Sequence, residues 1–166
     1  MEKIFIIDSY AFLFKNYYAL PKLLTSSGEE VGALYGFIRL VFRIKERGNY
    51  IVACYDSGKS FRRDISEAYK ANRKKMDESL LKQIEKSRDV LELLGIKSIS
   101  KEGFEADDII ATIAKRAINE GFEVVIVGAD KDLMQIINDR ICIWDGKSDE
   151  YFGPEYIVKK YGFPPD

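Results

Sequence analysis

Apolar runs of the kind that form buried strands recur along this chain, and segments with helical periodicity separate them. Three of these runs cover residues 3–7, 50–55 and 122–127. Strands that alternate with helices predict an α/β fold with a mostly parallel, twisted sheet and helices on both faces. Each run is followed within three residues by an aspartate. Because ligands of such sheets bind beyond the carboxyl ends of the strands, we expect these aspartates to meet at one edge.

The rest of the chain continues this alternation, since a helix-ending residue follows each long periodic stretch. Pro21, Gly48, Gly95 and Gly121 stand where four helices should end. No repeat or linker interrupts the pattern, so we expect the 166 residues to form one domain. The predicted helices cover residues 10–20, 31–47, 77–94, 104–120, 133–137 and 154–161, and two further strands cover 96–100 and 141–144.

Composition excludes several classes of protein. The chain has no histidine, which is the usual general base, the partner of Ser and Cys nucleophiles and a common zinc ligand. Its two cysteines, Cys54 and Cys142, lie in strand-like runs and predict buried thiols rather than a disulfide framework. No stretch reaches the roughly 20 apolar residues of a membrane span, and Met1 leads into a strand without a signal-peptide pattern. We therefore expect a cytoplasmic protein that uses carboxylate chemistry.

Two acidic clusters accompany the strand-end aspartates. Glu105, Asp107 and Asp108 fall within about one turn at the start of a predicted helix, and Asp130 and Asp132 follow the third strand. One explanation is that acidic residues favour helix N-termini, where the macrodipole stabilises them. The other is a metal site, because carboxylate oxygens select hard cations such as Mg²⁺ or Mn²⁺. A pair of such ions supports phosphodiester hydrolysis without histidine.

A basic segment, residues 59–75, follows the second aspartate-tipped strand. Its seven lysines and arginines outnumber two acidic residues, which leaves a local charge of +5, and Phe61 and Tyr69 are interleaved with them. This composition is typical of an element that binds a nucleic-acid backbone and stacks on bases. A solvated surface loop is the alternative. The basic residues are Lys59, Arg62, Arg63, Lys70, Arg73, Lys74 and Lys75.

The first predicted helix is rich in aromatic residues, namely Tyr10, Phe12, Phe14, Tyr17 and Tyr18. Such side chains could stack on bases. Aromatic residues at helical spacing are more often buried, however, so we expect them to belong to the core.

Six short motifs occur along the chain, namely IFIIDSY (4–10), TSSGEEVGALYGF (25–37), SFR (60–62), YKANR (69–73), GFEADDIIA (103–111) and VGADKDLMQI (127–136). In this order they resemble the 5′-nuclease family, which has a PIN-like fold. The likeness is closest to the N-terminal 5′→3′ exonuclease domain of bacterial DNA polymerase I and extends over nearly the whole chain. YKANR and GFEADD followed by DKDL are the most specific of the motifs.

The resemblance implies a metal centre with two divalent ions, Mg²⁺ or Mn²⁺. In such nucleases the acidic positions bind or orient the ions, and Asp130 stands among the catalytic residues. The corresponding residues of this chain are Asp8, Asp56, Glu105, Asp107, Asp108, Asp130 and Asp132.

The resemblance also implies a helical arch at about residues 57–85. The positions of Lys70 and Arg73 lie at its foot, where they contact the scissile phosphate and the threaded 5′ strand, and both are expected to be catalytic. Lys15 stands where relatives usually carry arginine, and Tyr18 stands where some carry histidine. The expected DNA-binding residues are Lys15, Arg62, Tyr69, Lys70, Arg73 and Lys74.

Members of this family continue beyond the position of Asp166 into a helix-hairpin-helix that grips duplex DNA, and they supply two further aspartates to the second metal. We therefore interpret residues 1–166 as a 5′-nuclease catalytic core that lacks this C-terminal part. The expected partners are DNA with a 5′ end or flap and, in the native chain, a C-terminal polymerase domain. We expect a monomer with no membrane association.

The resulting hypothesis is a metal-dependent 5′→3′ exonuclease or flap endonuclease that acts on DNA in primer removal and repair. The alternative is a noncatalytic fragment that binds 5′ ends or single strands, because C-terminal metal ligands are missing. A phosphatase with Asp8 as nucleophile is a weaker alternative. Such an enzyme needs a second aspartate two residues later, where this chain has Tyr10.

Overall fold

Strand β1 lies near the middle of a single six-stranded sheet with the order β3-β2-β1-β4-β5-β6. The computed structural model describes residues 2–57, 76–128 and 130–163. Strands β1 to β5 run parallel to one another, and β6 pairs antiparallel with β5. The predicted mostly parallel α/β sheet is therefore confirmed. The strands are β1 (Lys3–Asp8), β2 (Tyr50–Cys54), β3 (Lys97–Ile99), β4 (Glu123–Val127), β5 (Ile141–Asp145) and β6 (Glu150–Phe152).

Five α-helices and one 3₁₀ helix occur within the described ranges. Each lies where helical periodicity was found, and the stretch expected to be a short helix at 133–137 is the 3₁₀ helix. None of these helices is both long enough and apolar enough to cross a membrane. The helices are α1 (Ser9–Ala19), α2 (Gly32–Lys45), α3 (Glu78–Leu93), α4 (Ala106–Asn119), the 3₁₀ helix (Asp132–Ile136) and α5 (Pro154–Tyr161).

The sheet separates two hydrophobic cores, and the alternation of side chains along β1 supplies both. Phe5 and Ile7 pack into the core under α1, α2 and α3, whereas Ile6 packs into the core under α4 and α5. All three side chains are buried, as a central parallel strand covered on both faces requires. Helices thus cover both faces, and the carboxyl ends of the strands are left as the open edge.

Strand β6 is the element that the sequence pattern did not predict. It pairs with β5 after a turn in which Asp149 adopts a left-handed backbone conformation, with φ 62°. The Asp149 carboxylate accepts hydrogen bonds from Trp144 Nε1, at 2.9 Å, and from the guanidinium groups of Arg43 and Arg47. Because the two arginines lie about 100 residues earlier in the chain, the turn and its short edge strand depend in part on tertiary contacts.

The aromatic residues of α1 divide between core and surface, so the expectation that they are core holds only in part. Phe12 and Tyr17 pack against the core under α1, α2 and α3. Phe14 and Tyr18 are 43% and 64% exposed, one turn apart on the outer face, and their ring centroids lie 4.9 Å apart. Tyr10 is half-buried and stacks on Phe14 at 6.3 Å. An eleven-residue helix that packs on one side only cannot bury all five rings.

The two cysteines are free thiols, as expected. Cys54 is buried at the end of β2, and Cys142 is half-buried on β5 with its thiol 3.8 Å from the Val124 carbonyl. Burial raises the pKa of Cys54 to about 12, so it behaves as an apolar core residue.

Candidate metal centre

Parallel strand ends bring three aspartates to the open edge of the sheet. Asp8 is the last residue of β1 and is paired in register with Cys54 of β2, which places Asp56 just beyond the same edge. Asp130 follows β4, the other neighbour of β1. The predicted convergence of strand-end aspartates is thus explained by register alone, because β1, β2 and β4 are adjacent and parallel.

The N-terminus of α4 supplies a fourth carboxylate to the same place. Asp56 Oδ1 accepts a hydrogen bond of 2.6 Å from the backbone N–H of Ala106, the first residue of α4, and so ties this helix to the end of β2. The next residue, Asp107, then lies beside Asp8 and Asp130. One carboxylate oxygen from each of these three residues lies within 4.8 Å of the others. This trio is the acidic cluster.

Asp8 is the most deeply buried member of the acidic cluster, with 4% of its surface exposed. Burial is the largest cause that raises the pKa of Asp8 from 3.8 to about 7, and the charges of Asp107, Asp56 and Asp130 add to it. A hydrogen bond from the backbone N–H of Ala11, 3.1 Å from Oδ1, opposes this rise and caps α1. The Asp8 carboxylate is therefore hydrogen-bonded at a buried position where its negative charge is energetically unfavourable.

Asp107 is in a similar position. Burial raises its pKa to about 6, with further contributions from Asp130, Asp56, Asp132 and Glu105. Two adjacent carboxyls with raised pKa values are unfavourable in the protein alone, because each ionised group opposes ionisation of the other. A divalent cation would remove this repulsion, and an all-oxygen donor set suits Mg²⁺ or Mn²⁺. The residues present therefore fit a hard divalent ion.

Glu105 and Asp108 perform a structural task at the start of α4. Asp108 Oδ2 accepts a hydrogen bond of 3.1 Å from the backbone N–H of Glu105, and the two residues form a capping box. The helix-terminus explanation that the sequence left open is therefore correct for this pair, although Glu105 also adds negative charge beside Asp107. A role of either residue toward a metal ion stays a prediction.

Asp132 is the first residue of the 3₁₀ helix, and its side chain is exposed. Its backbone N–H donates a hydrogen bond of 2.9 Å to Asp130 Oδ1. This bond orients the Asp130 carboxylate within the acidic cluster. The Asp132 charge also contributes to the raised pKa of Asp107. Its expected role as a metal-site residue stays a prediction.

Most of the expected DNA-binding residues lie outside the residues that the structure describes. Lys15 is described and lies exposed on α1. At one end of the expected arch, residues 78–85 form the first half of α3. At the other end, Ser57 donates a hydrogen bond of 3.2 Å to the Phe104 carbonyl. The residues outside the described ranges are Arg62, Tyr69, Lys70, Arg73 and Lys74.

Sequence reasoning did not identify the buried polar residues of α3, one of which contacts the residue before Asp56. Ser87 Oγ donates to the Ile84 carbonyl at 2.6 Å, so the Tyr55 hydroxyl, 2.8 Å away, is the donor to Ser87. Tyr55 immediately precedes Asp56. The available signal was a serine and a glutamine, Gln83, at positions where the periodicity of α3 calls for apolar side chains.

Comparison with known proteins gives consistent matches. Residues 3–162 match the family model described as 5′-3′ exonuclease, N-terminal resolvase-like domain. The chain is 37% identical to a 5′-3′ exonuclease of Aquifex aeolicus, covering 99% of this chain and 58% of that protein. It is also 37% identical to a thermostable DNA polymerase I of Thermus thermophilus, covering 99% of this chain but 20% of the relative. The chain thus spans about three fifths or less of these relatives.

Solved structures match at low sequence identity. The T5 D15 protein co-crystallised with metal ions superposes with a TM-score of 0.72 at 15% identity, over 97% of this chain and 60% of that one. The catalytic core of Rad2 in complex with a DNA substrate gives 0.64 at 17% identity, over 99% and 51%. At these identities the likeness shows a shared fold.

Proposed function

Since the chain belongs to the family of 5′-3′ exonuclease N-terminal resolvase-like domains, we propose that it is the catalytic core of a metal-dependent nuclease. It would hydrolyse DNA phosphodiesters at 5′ ends and flaps, as in primer removal and repair. The observation that carries the proposal is the acidic cluster of Asp8, Asp107 and Asp130 at the carboxyl edge of the sheet. The names of the matched relatives, 5′-3′ exonuclease and DNA polymerase I, support the substrate class.

The acidic cluster would hold one Mg²⁺ or Mn²⁺ ion, and Asp56, Glu105, Asp108 and Asp132 would help to bind or orient a second. When bound, such ions lower the pKa of water and stabilise negative charge on phosphoryl oxygens.

The protein's own contribution is to hold the carboxylates in place before any ligand binds. Asp8 is fixed by the Ala11 N–H, Asp56 by the Ala106 N–H and Asp130 by the Asp132 N–H. Each carboxylate thus has one oxygen bonded to backbone. A site built on strand ends and a helix terminus keeps its geometry better than one built on loop side chains alone.

The basic residues would bind the DNA substrate. Lys70 and Arg73 would stabilise negative charge on the scissile phosphate, as fixed cations do at a transition state. The family resemblance supports this role, and the local charge of the basic segment suits contact with a phosphate backbone. The other residues proposed to contact the DNA strand are Lys15, Arg62, Tyr69 and Lys74.

Several features of the whole protein belong to the same proposal. Relatives named DNA polymerase I are about five times as long as the matched region, which is 20% of the Thermus thermophilus protein. This supports a polymerase domain as a partner in the native chain. A preference for flaps, a monomeric state and a cytoplasmic location are proposed on the sequence alone. So is the boundary of the nuclease core at residues 1–166, with an arch at about residues 57–85.

Cleavage of a 5′-labelled flap duplex by wild type and by Asp130→Asn tests the proposal. Asparagine keeps the oxygen that accepts from the Asp132 N–H, so the fold should survive while a metal ligand is lost. We expect cleavage with Mg²⁺ or Mn²⁺, none with EDTA, and a fall of about 100-fold or more in the variant, equivalent to about 3 kcal/mol. Asp139→Asn, at an exposed aspartate in another loop, is the control and should cleave like wild type.

Equal cleavage by Asp130→Asn and wild type would contradict the metal-site assignment. If wild type binds the flap duplex but does not cleave it with either metal, the chain is instead a noncatalytic 5′-end or single-strand binding fragment.

A further inference from the structure

Gln83 is a polar residue in the middle of the apolar face of α3. The buried residues of this helix are Leu80, Gln83, Ser87 and Leu91, which recur at helical spacing. Gln83 is only 1% exposed. A buried amide without hydrogen-bond partners is strongly unfavourable. Gln83 therefore requires neighbouring groups that hydrogen-bond to it, whereas a leucine at this position would not.

The main partner of Gln83 is the N-terminus of another helix. Gln83 Oε1 accepts a hydrogen bond of 3.0 Å from the backbone N–H of Leu34, the third residue of α2. Val31, at the N-cap position of α2, makes no side-chain capping bond. Gln83 thus provides from α3 the acceptor that a capping residue normally supplies within its own helix.

The same face of α3 also contacts the strand end that carries Asp56. Ser87, one turn after Gln83, accepts the hydrogen bond from the Tyr55 hydroxyl. The guanidinium of Arg88 lies 4.0 Å from the centre of the Tyr55 ring. Through two buried polar contacts, α3 is joined to α2 on one side and to Tyr55, the residue before Asp56, on the other.

We propose that Gln83 is a positioning residue for the cleavage reaction, and this inference rests on the function proposed above. Ser87 of α3 holds the hydroxyl of Tyr55, and Tyr55 immediately precedes Asp56. The position of α3 therefore bears on where the Asp56 carboxylate lies relative to the acidic cluster. The buried bond from Gln83 to Leu34 helps to fix this position, together with the Ser79–Glu30 bond and the Lys86–Glu29 ion pair at the surface.

Replacement of Gln83 by methionine tests this idea, because methionine has nearly the same length but no amide acceptor. We expect Gln83→Met to lower kcat/KM for a 5′-flap duplex about tenfold, since misplacement of reacting groups by about 1 Å costs a large factor. Binding of Mn²⁺ to the acidic cluster should be unchanged.

A control separates positioning from simple loss of stability. Ile157, buried in the core under α4 and α5, is replaced by valine or alanine, whichever variant has a melting temperature that matches that of Gln83→Met. This variant should cleave like wild type at a temperature where all variants are folded. Amide hydrogen exchange should rise at Leu34 and along α3 in Gln83→Met, and in neither place in the Ile157 variant.

Two results would overturn the inference. One is that Gln83→Met and the Ile157 variant have the same kcat/KM. The other is that exchange at Leu34 and α3 is unchanged in Gln83→Met. If wild type fails to cleave DNA at all, the proposed function is wrong, and so is the role of Gln83 in cleavage. The exchange data would still show separately whether Gln83 fixes α3.

Discussion

Removing the negative charge of Asp8 should stabilise the metal-free protein. Asp8 is 4% exposed and faces Asp107 and Asp130 in the acidic cluster. It also caps α1 through Oδ1, which accepts from the Ala11 N–H. Asp8→Asn keeps that acceptor oxygen and the side-chain volume, so it changes the charge and little else.

The size of the effect follows from the pKa of Asp8, which burial raises from 3.8 to about 7 in the folded state. A raised carboxyl pKa means that the folded state holds the proton more tightly, so stability is fully present below pH 4 and is lost as the pH rises to 7. The loss amounts to about 1.4 kcal/mol per pH unit, or about 4 kcal/mol at pH 8. Asp8→Asn should be more stable by up to this amount, a rise in Tm of about 10 °C.

Urea and thermal unfolding between pH 4.5 and 8, in EDTA, would measure this difference. Asp77 is the control, because it caps α3 through a bond of 2.9 Å from the Ser79 N–H but is exposed. Asp77→Asn should change the free energy of unfolding by less than about 0.5 kcal/mol at any of these pH values. Addition of Mn²⁺ should then stabilise wild type, by mass action, more than Asp8→Asn.

The reasoning would be refuted if Asp8→Asn destabilised the metal-free protein at pH 8. It would also be refuted if the difference between Asp8→Asn and wild type were the same at pH 4.5 and pH 8, because the charge effect must shrink as the pH falls toward the unfolded-state pKa of 3.8.

Two further outcomes follow from the structure. Asp8 and Asp107 have pKa values raised to about 7 and about 6, so the apparent affinity for Mn²⁺ should increase from pH 5.5 to 7.5 and then level off. Calorimetric titration across this range would measure it, and an affinity independent of pH would contradict the prediction. Asp149→Ala should lower the free energy of unfolding by about 1–3 kcal/mol, measured in urea, because the buried Trp144 N–H loses its acceptor; an unchanged midpoint would show that the turn is held by other contacts.

Elements with strong periodicity were predictable to within a few residues. The helix at 154–161 has the same bounds in the structure, since Pro154 and Gly162 mark its first residue and its C-cap. Helix α2 is two residues shorter at its C-terminus than predicted, a normal difference at a fraying end. Strand β6 has three residues and no alternation long enough to read.

The candidate site was predictable where it depends on the parallel direction of the strands and not where it depends on strand order or side-chain pairing. The carboxyl ends of parallel strands lie at one edge of a sheet, so Asp8, Asp56 and Asp130 could be assigned to that edge together. Whether Glu105 and Asp108 cap a helix or face a ligand could not be decided from the chain, because both arrangements use the same residues at the same spacing.

The chain by itself determined the α/β alternation, the single acidic edge and the absence of histidine chemistry, because these depend on local periodicity and residue type. Tertiary structure alone decided which carboxylates approach within 4.8 Å, that Asp8 is buried enough for a raised pKa, and that Gln83 caps a helix 49 residues away. Burial and distance depend on how elements far apart in sequence pack together, and no local pattern encodes that packing.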